Sequence, residues 1–300
     1  MIDFKKVELN DKSWMEPLIE AADMRGCHQN FTNIFAWSEN YNYRIARIHN
    51  YLIVKGGKCL ADPYYFYPAG QGDLKVVIEA MKQDAGDCKH KFRLAGLSLG
   101  NVDELKSLFP SNFIYQENRS DFDYVYLLDK LVTLAGKRLQ AKRNHINRFK
   151  ENNWAFELIS PENLAECWEM NVKWCLDHAT EDEVQLANEN CAVSRCFDNF
   201  SALELEGGLL RVDGKVIAYT MGEILNSDTY VVHIEKAFGE IRGAYQMINR
   251  EFAAYVQKRY PQIVYVNREE DMGLDGLRKA KLSYRPEMME EKYLAEYISV

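Results

Sequence analysis

The chain has 300 residues, which is enough for two domains of ordinary size. Hydrophobic residues make up 47% and charged residues 27% of it, a balance typical of a globular protein with an ample core. The net charge of −8 excludes a surface that coats nucleic acid over its whole area, although a local basic patch is compatible with it.

Neither the cysteines nor the apolar runs point to an extracellular or membrane-spanning protein. The seven cysteines include no Cys-x-x-Cys pair, so we expect reduced thiols, no disulfide framework and no metal site. The first residues contain no signal-peptide pattern, and no stretch of about 18 apolar residues occurs. We therefore expect a cytoplasmic protein without a transmembrane segment.

The first half of the chain alternates between predicted helices and strands. Capping-box spacing predicts helix starts at Ser13, with Glu16, and at Asn101, with Glu104. The predicted helices lie near 13–25, 73–84 and 101–109, and the predicted strands lie at 43–48, 51–55, 91–95, 113–116 and 124–128.

The second half repeats this scheme. Ser160 followed by Pro161 is a helix-start signal, and Asp213-Gly214 indicates a hairpin. The predicted helices lie near 131–151, 161–178 and 181–199, and the predicted strands lie at 209–212, 216–224, 229–235 and 263–267. Both halves are thus predicted to be mixed α+β units, residues 1–128 with a structural role and residues 129–300 with the site.

Residues 229–254, TYVVHIEKAFGEIRGAYQMINREFAA, read as a buried strand, a turn with two glycines and a long helix. Such a turn presents backbone N–H groups at a helix N-terminus, where they attract phosphates and carboxylates. Strand alternation places His233 and Glu235 on one face. They are candidates for proton transfer, and a buried histidine satisfied by hydrogen bonds is the structural alternative for His233.

A basic segment at 137–150 contains six Lys or Arg and no acidic residue. On a helix Leu139, Ile146 and Phe149 share one arc, and Lys142 falls within it. Lys142 either extends along the edge of the core toward water or, with Arg143 and Arg138, faces an anion.

The segment IVYVNREEDMGLDGLRKAKLSYRP, residues 263–286, is a second strand and turn of this kind. A strand that ends at Asn267 is followed by an acidic cluster, from which Glu270 or Asp271 could act as a general base. Arg278 or Lys281 could hold a carboxylate or phosphate. A salt-bridged turn that caps a helix is the alternative.

Three long motifs, HIEKAFGEIRGAYQMINREFA, VNREEDMGLDGLRKAKLSYRP and GKRLQAKRNHINRF, resemble a bacterial family of unknown function. That family is grouped with the C-terminal domain of phosphatidylglycerol lysyltransferase. The resemblance is strongest over residues 124–151 and 229–286. It implies two tandem GNAT-like domains, and a more distant similarity to the Fem peptidyl transferases, which move amino acids from aminoacyl-tRNA onto cell-wall precursors.

Two departures from these families qualify the expected donor and acceptor. The usual acyl-CoA loop is Arg/Gln-x-x-Gly-x-Gly/Ala, but aligned on Gly243 this chain has Glu240 in the first position and Tyr245 in the last. A carboxylate at the phosphates' position fits an aminoacyl donor, or no donor, better than coenzyme A. Lysyltransferases also carry a membrane-spanning region, which is not expected in this chain. We therefore expect a soluble acceptor, or a lipid headgroup reached from the surface, rather than a lipid buried in the bilayer.

The resemblance implies an aminoacyl or acyl transferase with aminoacyl-tRNA or acyl-CoA as its donor substrate and no tightly bound cofactor. The expected partners are tRNA, through the 137–150 helix, and a small-molecule or headgroup acceptor. The predicted catalytic residues are His233, Glu235 and Asp271, and the predicted donor- or anion-binding residues are Arg242, Gly243, Ala244, Lys142, Arg143, Arg278 and Lys281. The alternatives are a catalytically silent GNAT-like ligand-binding protein and an RNA-binding protein.

Overall fold

The computed structural model describes residues 1–57, 62–178 and 183–298. The chain divides into two compact units. Unit 1 consists of Met1–Asp123, Glu270–Gly273 and Met289–Val300, and unit 2 consists of Tyr124–Glu269 and Leu274–Met288. The last part of the chain therefore contributes to both units, which no local sequence pattern indicates.

Unit 1 contains a mixed sheet of eight strands. The strands are β1 (Lys5–Lys6), β2 (Arg44–Ile48), β3 (Tyr51–Gly56), β4 (Tyr64–Phe66), β5 (Ala69–Gly70), β6 (Arg93–Leu97), β7 (Phe113–Glu117) and β15 (Tyr293–Tyr297). Their order is β1-β2-β3-β4-β6-β15-β7, with β5 beside β3. The pair β4–β6 is parallel, whereas β15 runs antiparallel to both of its neighbours.

The helices of unit 1 are α1 (Lys12–Ala22), α2 (Phe31–Ala36), α3 (Leu74–Asp87) and α4 (Leu99–Leu108). Two predicted helix starts are wrong by a few residues. A 3-10 turn at Leu9–Asp11 makes Asp11 the N-cap of α1, so Ser13 lies inside the helix. Ser98 caps α4, and Asn101 is the third residue of its capping box rather than the cap.

Unit 2 contains a seven-stranded sheet, except for Asp123 and residues 289–290 of that sheet, which belong to unit 1. Its strands are β8 (Asp123–Leu127), β9 (Trp154–Leu158), β10 (Glu206–Val212), β11 (Lys215–Ile224), β12 (Thr229–Ala237), β13 (Tyr265–Asn267) and β14 (Met288–Glu290). Their order is β14-β8-β13-β12-β11-β10-β9. Strands β9 to β12 form an antiparallel run, and β12 pairs in parallel with β13. The prediction that both halves are mixed α+β units is confirmed.

The helices of unit 2 are α5 (Leu128–Thr133), α6 (Gln140–Phe149), α7 (Leu164–Asp177), α8 (Glu183–Asp198), α9 (Ala244–Arg259) and α10 (Asp275–Leu282). The single helix predicted at 131–151 is wrong, because Leu134 and Gly136 adopt positive φ angles of 48° and 91° and end α5. Helix α7 begins after Pro161, since Asn163 closes a turn on the Ser160 backbone. The predicted helix start at 181 lies outside the described residues.

The parallel pair β12–β13 is short. Pairing covers only Thr229 to Val231 on β12 and Tyr265 to Asn267 on β13. Strand β13 ends there, whereas β12 continues through residues 232–237 before the turn into α9. Ligands of sheets with parallel strands lie beyond the carboxyl ends of the strands, so the end of β13 beside β12 is the place where a site is expected.

The turn into α9 depends on Gly243. This residue is the N-cap of α9 with φ 87°, and a Cβ atom there would lie 2.2 Å from the carbonyl oxygen of His145 on α6. Glycine therefore permits both the left-handed backbone and the close approach of α6. Gly239, in the same turn, has nothing within 4 Å of the corresponding position.

We expect Gly243→Ala to lower the free energy of unfolding by at least about 1 to 3 kcal/mol, through backbone strain and the clash with His145. Gly239→Ala is the matched control, and its stability should lie within about 0.5 kcal/mol of the native chain. Urea denaturation of the three proteins measures both values. Equal stabilities of the two variants would contradict this role of Gly243.

In the part of the chain that the structure describes, no helix is both long enough and apolar enough to cross a membrane.

Candidate functional site

A buried ion pair joins the end of β13 to the unpaired part of β12. Arg268, the residue after β13, places its Nη2 atom 2.7 Å from Oε1 of Glu235, on the unpaired part of β12. The side chains are 12% and 9% exposed. Asn249 on α9 donates from Nδ2 to the other carboxylate oxygen of Glu235 at 3.1 Å. Both oxygens of Glu235 are thus engaged, so we do not assign it the predicted role of a base.

Three buried polar atoms around this pair have no hydrogen-bond partner within residues 1–57, 62–178 and 183–298. They are Arg268 Nη1, Asn249 Oδ1 and the Tyr284 hydroxyl. The guanidinium of Arg268 lies 5.0 Å from the centre of the Tyr284 ring, so the atoms belong to one cluster. Buried polar atoms are nearly always hydrogen-bonded, because leaving one unpaired costs about 1 to 3 kcal/mol. A donor, an acceptor and a hydroxyl therefore lie in this cluster without a protein partner among the described residues.

Lys142 of α6 completes the cluster. Its Nζ atom lies 4.0 Å from the centre of the Tyr284 ring. No hydrogen bond or ion pair of Lys142 occurs among the described residues. Burial lowers the pKa of Lys142 to about 8, and the neighbouring charge of Arg268 acts in the same direction. Leu139, Ile146 and Phe149 are buried, so the predicted apolar arc around Lys142 is confirmed.

His233 is held between two carboxylates. Its Nδ1 atom lies 2.9 Å from Oε1 of Glu269 and its Nε2 atom 2.9 Å from Oε1 of Glu223. Burial lowers the pKa of His233, but the hydrogen bonds from both carboxylates outweigh burial and raise it to about 9. The ring is therefore an imidazolium at neutral pH. A protonated ring with both nitrogens engaged does not fit the predicted role in proton abstraction, and it corresponds to the structural alternative.

The turn at 238–243 offers fewer donors than the sequence suggests. Arg242 is exposed, and Gly243 is buried against α6. The backbone N–H of Ala244 donates to the carbonyl of Ile241 at 3.1 Å. Glu240 is exposed at the start of the turn. Of the groups predicted to bind the donor, the Ala244 amide is thus already hydrogen-bonded and Gly243 is covered by α6.

Two of the predicted anion-binding cations support the backbone instead. Arg143 donates from Nη1 to the carbonyls of Leu134 and of Gly136, the second at 2.8 Å. Lys281 is buried and donates to the carbonyls of Arg268 and Glu269 at 2.6 and 3.2 Å. Lys281 thereby fixes the backbone from which the Arg268 side chain extends.

The remaining predicted residues lie in different places. Arg278 is half-buried on α10 in unit 2. Asp271 belongs to unit 1, where it is fully buried. Its Oδ2 atom lies 3.6 Å from Arg119, and its Oδ1 atom accepts from the backbone N–H of Gly273 at 2.9 Å. The acidic residues 269–271 are consecutive in the sequence but belong to different units, Glu269 to unit 2 and Asp271 to unit 1.

The outer side of the basic segment is exposed. Of its six Lys and Arg residues, Lys142 and Arg143 point inward, while the others are exposed. The exposed cations are Lys137, Arg138, Arg148 and Lys150. Arg148 also pairs with Glu151 at 3.5 Å.

Sequence reasoning missed Arg268, Asn249 and Tyr284. Asn249 had a recognisable signal, because it is a buried amide within the apolar face of α9. Arg268 follows the last residue of a strand, a position at which functional side chains are common in α/β proteins. Tyr284 had no distinguishing local signal in a chain with 18 tyrosines.

Two mixed α+β units, the second with a parallel pair of strands, β12 and β13, connected by helix α9, define a protein with the tandem GNAT-like fold. A tandem GNAT protein from the clavulanic acid biosynthesis pathway shares it over 100% of both chains, with a TM-score of 0.50 and 11% identity. The chain belongs to the family of the C-terminal domain of phosphatidylglycerol lysyltransferase, whose profile matches residues 20–296.

Relatives with stronger similarity have no described activity. A conserved protein of unknown function from Bacteroides thetaiotaomicron is 39% identical, with a TM-score of 0.94 over 99% of this chain and 100% of that chain. An uncharacterised protein of Mycoplasmoides gallisepticum is 25% identical over 215 residues, 68% of this chain. The match spans 64% of the length of that protein.

More distant solved structures share the fold. The structure of L-PGS from Bacillus licheniformis is 15% identical, with a TM-score of 0.68 over 99% of this chain and 94% of that chain. FemX is 10% identical, with a TM-score of 0.66 over 99% and 98% of the two chains. The predicted similarity in fold to lysyltransferases and Fem proteins is thus confirmed.

The raised pKa of His233 links its charge to stability. The folded-state pKa of about 9 exceeds the ordinary value of 6.5. The stabilisation is therefore fully present below pH 6.5 and is lost as pH rises through 9. We expect this contribution to be on the order of 3 kcal/mol. Denaturation curves of the native chain and His233→Gln between pH 6 and 10 measure it. A variant with the same pH dependence as the native chain would contradict the assignment.

Proposed function

We propose that this protein is an aminoacyl transferase that moves the aminoacyl group of an aminoacyl-tRNA to a small-molecule or headgroup acceptor. The observation that carries the proposal is the cluster of unpaired polar groups, Arg268 Nη1, Asn249 Oδ1 and the Tyr284 hydroxyl, beside Lys142 near the end of β13. Membership of the phosphatidylglycerol lysyltransferase family supports this class of reaction.

The cluster matches the groups of an aminoacyl ester. An α-ammonium group needs an acceptor, which Asn249 Oδ1 supplies, because Nδ2 of the same amide is bonded to Glu235. The ester carbonyl oxygen needs donors, which Arg268 Nη1 and the Tyr284 hydroxyl supply. These donors lie in a buried environment, where they stabilise the oxyanion of a tetrahedral intermediate more strongly than water does.

Lys142 is the residue whose lowered pKa suits it to carry the proton during transfer. With a pKa of about 8, roughly a tenth of Lys142 is neutral at pH 7. The neutral amine takes a proton from the acceptor's hydroxyl or amine as that group attacks the ester carbon. The bond to the tRNA ribose oxygen then breaks, and Lys142 returns the proton to this leaving oxygen. The protein is unchanged after one turnover, and deacylated tRNA leaves.

The turn before α9 supports an aminoacyl donor over acyl-CoA. Pyrophosphate binding in GNAT-like sites needs open backbone amides at this turn. Here the Ala244 amide donates to Ile241, α6 covers Gly243, and Glu240 adds a negative charge. The exposed cations Lys137, Arg138 and Lys150 supply a surface for the phosphates of tRNA.

The direct test of the proposal is transfer from tRNA charged with labelled amino acids. The protein should speed deacylation of aminoacyl-tRNA when acceptors are supplied, either phosphatidylglycerol vesicles or small hydroxyl and amine compounds. Label should appear in the acceptor. Hydrolysis of acetyl-CoA without any effect on aminoacyl-tRNA would contradict the proposal, and so would no reaction with either donor.

Replacing Lys142 by methionine should lower the transfer rate by about 10² to 10⁴-fold, because the proton carrier is lost while packing on Tyr284 is kept. The native rate should rise with pH and level off near pH 8, and the variant should lack this rise. Lys215→Met is the control, since Lys215 is exposed at the start of β11. A variant with the native pH profile would exclude Lys142 as the proton carrier.

Charge reversal of Lys137, Arg138 and Lys150 to Glu should weaken tRNA binding and reduce the slope of log affinity against log salt by roughly three. The matched control reverses three exposed lysines elsewhere, Lys75, Lys215 and Lys258, and produces the same change in net charge. Filter binding at several salt concentrations measures the slopes. Equal slopes for the two triple variants would contradict a tRNA surface on the basic segment.

A further inference from the structure

A second group of reactive side chains lies in unit 1, at the end of α3. Asp84 and Cys88 are four residues apart on this helix and so share one face. Lys89, with φ 58°, turns the chain, and the backbone N–H of His90 donates to the carbonyl of Ala85 at 3.1 Å. One ligand atom each from Asp84, Cys88 and His90 lie within 4.8 Å of one another.

The imidazole of His90 is oriented as metal-binding histidines are. Its Nδ1 atom lies 2.9 Å from the carbonyl oxygen of Lys91, so Nδ1 carries the hydrogen and donates it. The lone pair is then on Nε2, which lies 3.5 Å from the Tyr65 hydroxyl, beside Asp84. Metal-binding histidines commonly donate their other ring N–H to a backbone carbonyl in this way.

The carboxylate of Asp84 is held in place by hydrogen bonds. It accepts from the Ile2 backbone N–H at 2.9 Å and from the Tyr65 hydroxyl at 2.7 Å. Outer hydrogen bonds of this kind orient a ligating carboxylate.

A cation already occupies the space between these groups. The ammonium of Lys55 lies 3.0 Å from Oδ2 of Asp84 and 3.9 Å from Sγ of Cys88. Lys55 is long and half-buried, with its side chain 18% exposed, so it can withdraw toward solvent. Cys88 is exposed and carries a thiol outside any disulfide, which gives an ion a route in.

We propose that Asp84, Cys88 and His90 form a binding site for Zn²⁺, with Lys55 as the counter-ion that the metal displaces. A thiolate, an imidazole and a carboxylate together suit Zn²⁺, which takes S, N and O ligands in tetrahedral geometry, with water in the fourth position. Tetrahedral ligand atoms are roughly 3.3 to 3.8 Å apart, so the three groups need to close by about 1 Å. This proposed site differs from the expectation of no metal. The sequence carries no zinc signal because the Asp-x-x-x-Cys-x-His spacing lacks a Cys-x-x-Cys pair.

The test uses the full chain under reducing conditions, with Co²⁺ as a spectroscopic probe and Zn²⁺ as its competitor. One Co²⁺ per chain should bind with a thiolate-to-metal charge-transfer band, and Zn²⁺ should abolish the band. Cys88→Ser and His90→Ala should each weaken Zn²⁺ binding by at least about tenfold. Cys191→Ser and His49→Ala are the matched controls and should bind as the native chain does.

Lys55→Met gives a result that a nonspecific surface site would not. Removing the ammonium from beside Asp84 and Cys88 should tighten Zn²⁺ binding at least several-fold. Circular dichroism confirms that each variant is folded, and Cys88 and His90 are exposed enough for their replacement to leave the core intact. The proposal is overturned if the native chain binds no Co²⁺ through a thiolate, if Cys88→Ser and His90→Ala bind Zn²⁺ as the native chain does, or if Lys55→Met binds no tighter.

Discussion

The buried ion pair between Arg268 and Glu235 is the interaction on which the site in unit 2 depends. Burying two charges costs several kcal/mol for each ion unless their hydrogen bonds are satisfied. Glu235 meets this condition through Arg268 and Asn249, whereas Arg268 uses Nη2 and leaves Nη1 without a partner. The pair also joins the residue after β13 to the unpaired part of β12, so it fixes the position of the guanidinium.

The environment of unit 2 moves two pKa values in opposite directions. Despite the opposing effect of burial, hydrogen bonds to two carboxylates raise the pKa of His233, whereas burial and then the charge of Arg268 lower the pKa of Lys142. His233 connects β12 to the segment after β13 through Glu269, whereas Lys142 makes no hydrogen bond or ion pair among the described residues. The sheet of unit 2 thus holds a fixed cation, and helix α6 beside it carries an amine with a lowered pKa.

Local patterns in the sequence predict part of this arrangement, and the rest depends on contacts between distant segments of the chain. Strand alternation predicted that His233 and Glu235 share a face, and helical periodicity placed Lys142 in an apolar arc. Neither pattern indicates that α6 packs on Gly243 or that Arg268 pairs with Glu235, because these contacts join segments far apart in the chain. Likewise, no local pattern indicates that the C-terminal strand β15 lies between β6 and β7 in the sheet of unit 1. Periodicity assigns a residue to a face, but only the tertiary fold supplies its partner.

The central claim is that the unpaired groups beside Arg268 exist to bind an aminoacyl ester. Its most direct measurement is calorimetric binding of an amide-linked aminoacyl-adenosine, a stable mimic of the charged tRNA end, to the native chain and to Tyr284→Phe. Because the Tyr284 hydroxyl has no partner within the described residues, its removal should leave the free energy of unfolding unchanged or slightly higher. It should weaken binding of the mimic by about fivefold, a loss of about 1 kcal/mol. Binding equal to that of the native chain, with a destabilised fold, would contradict the account.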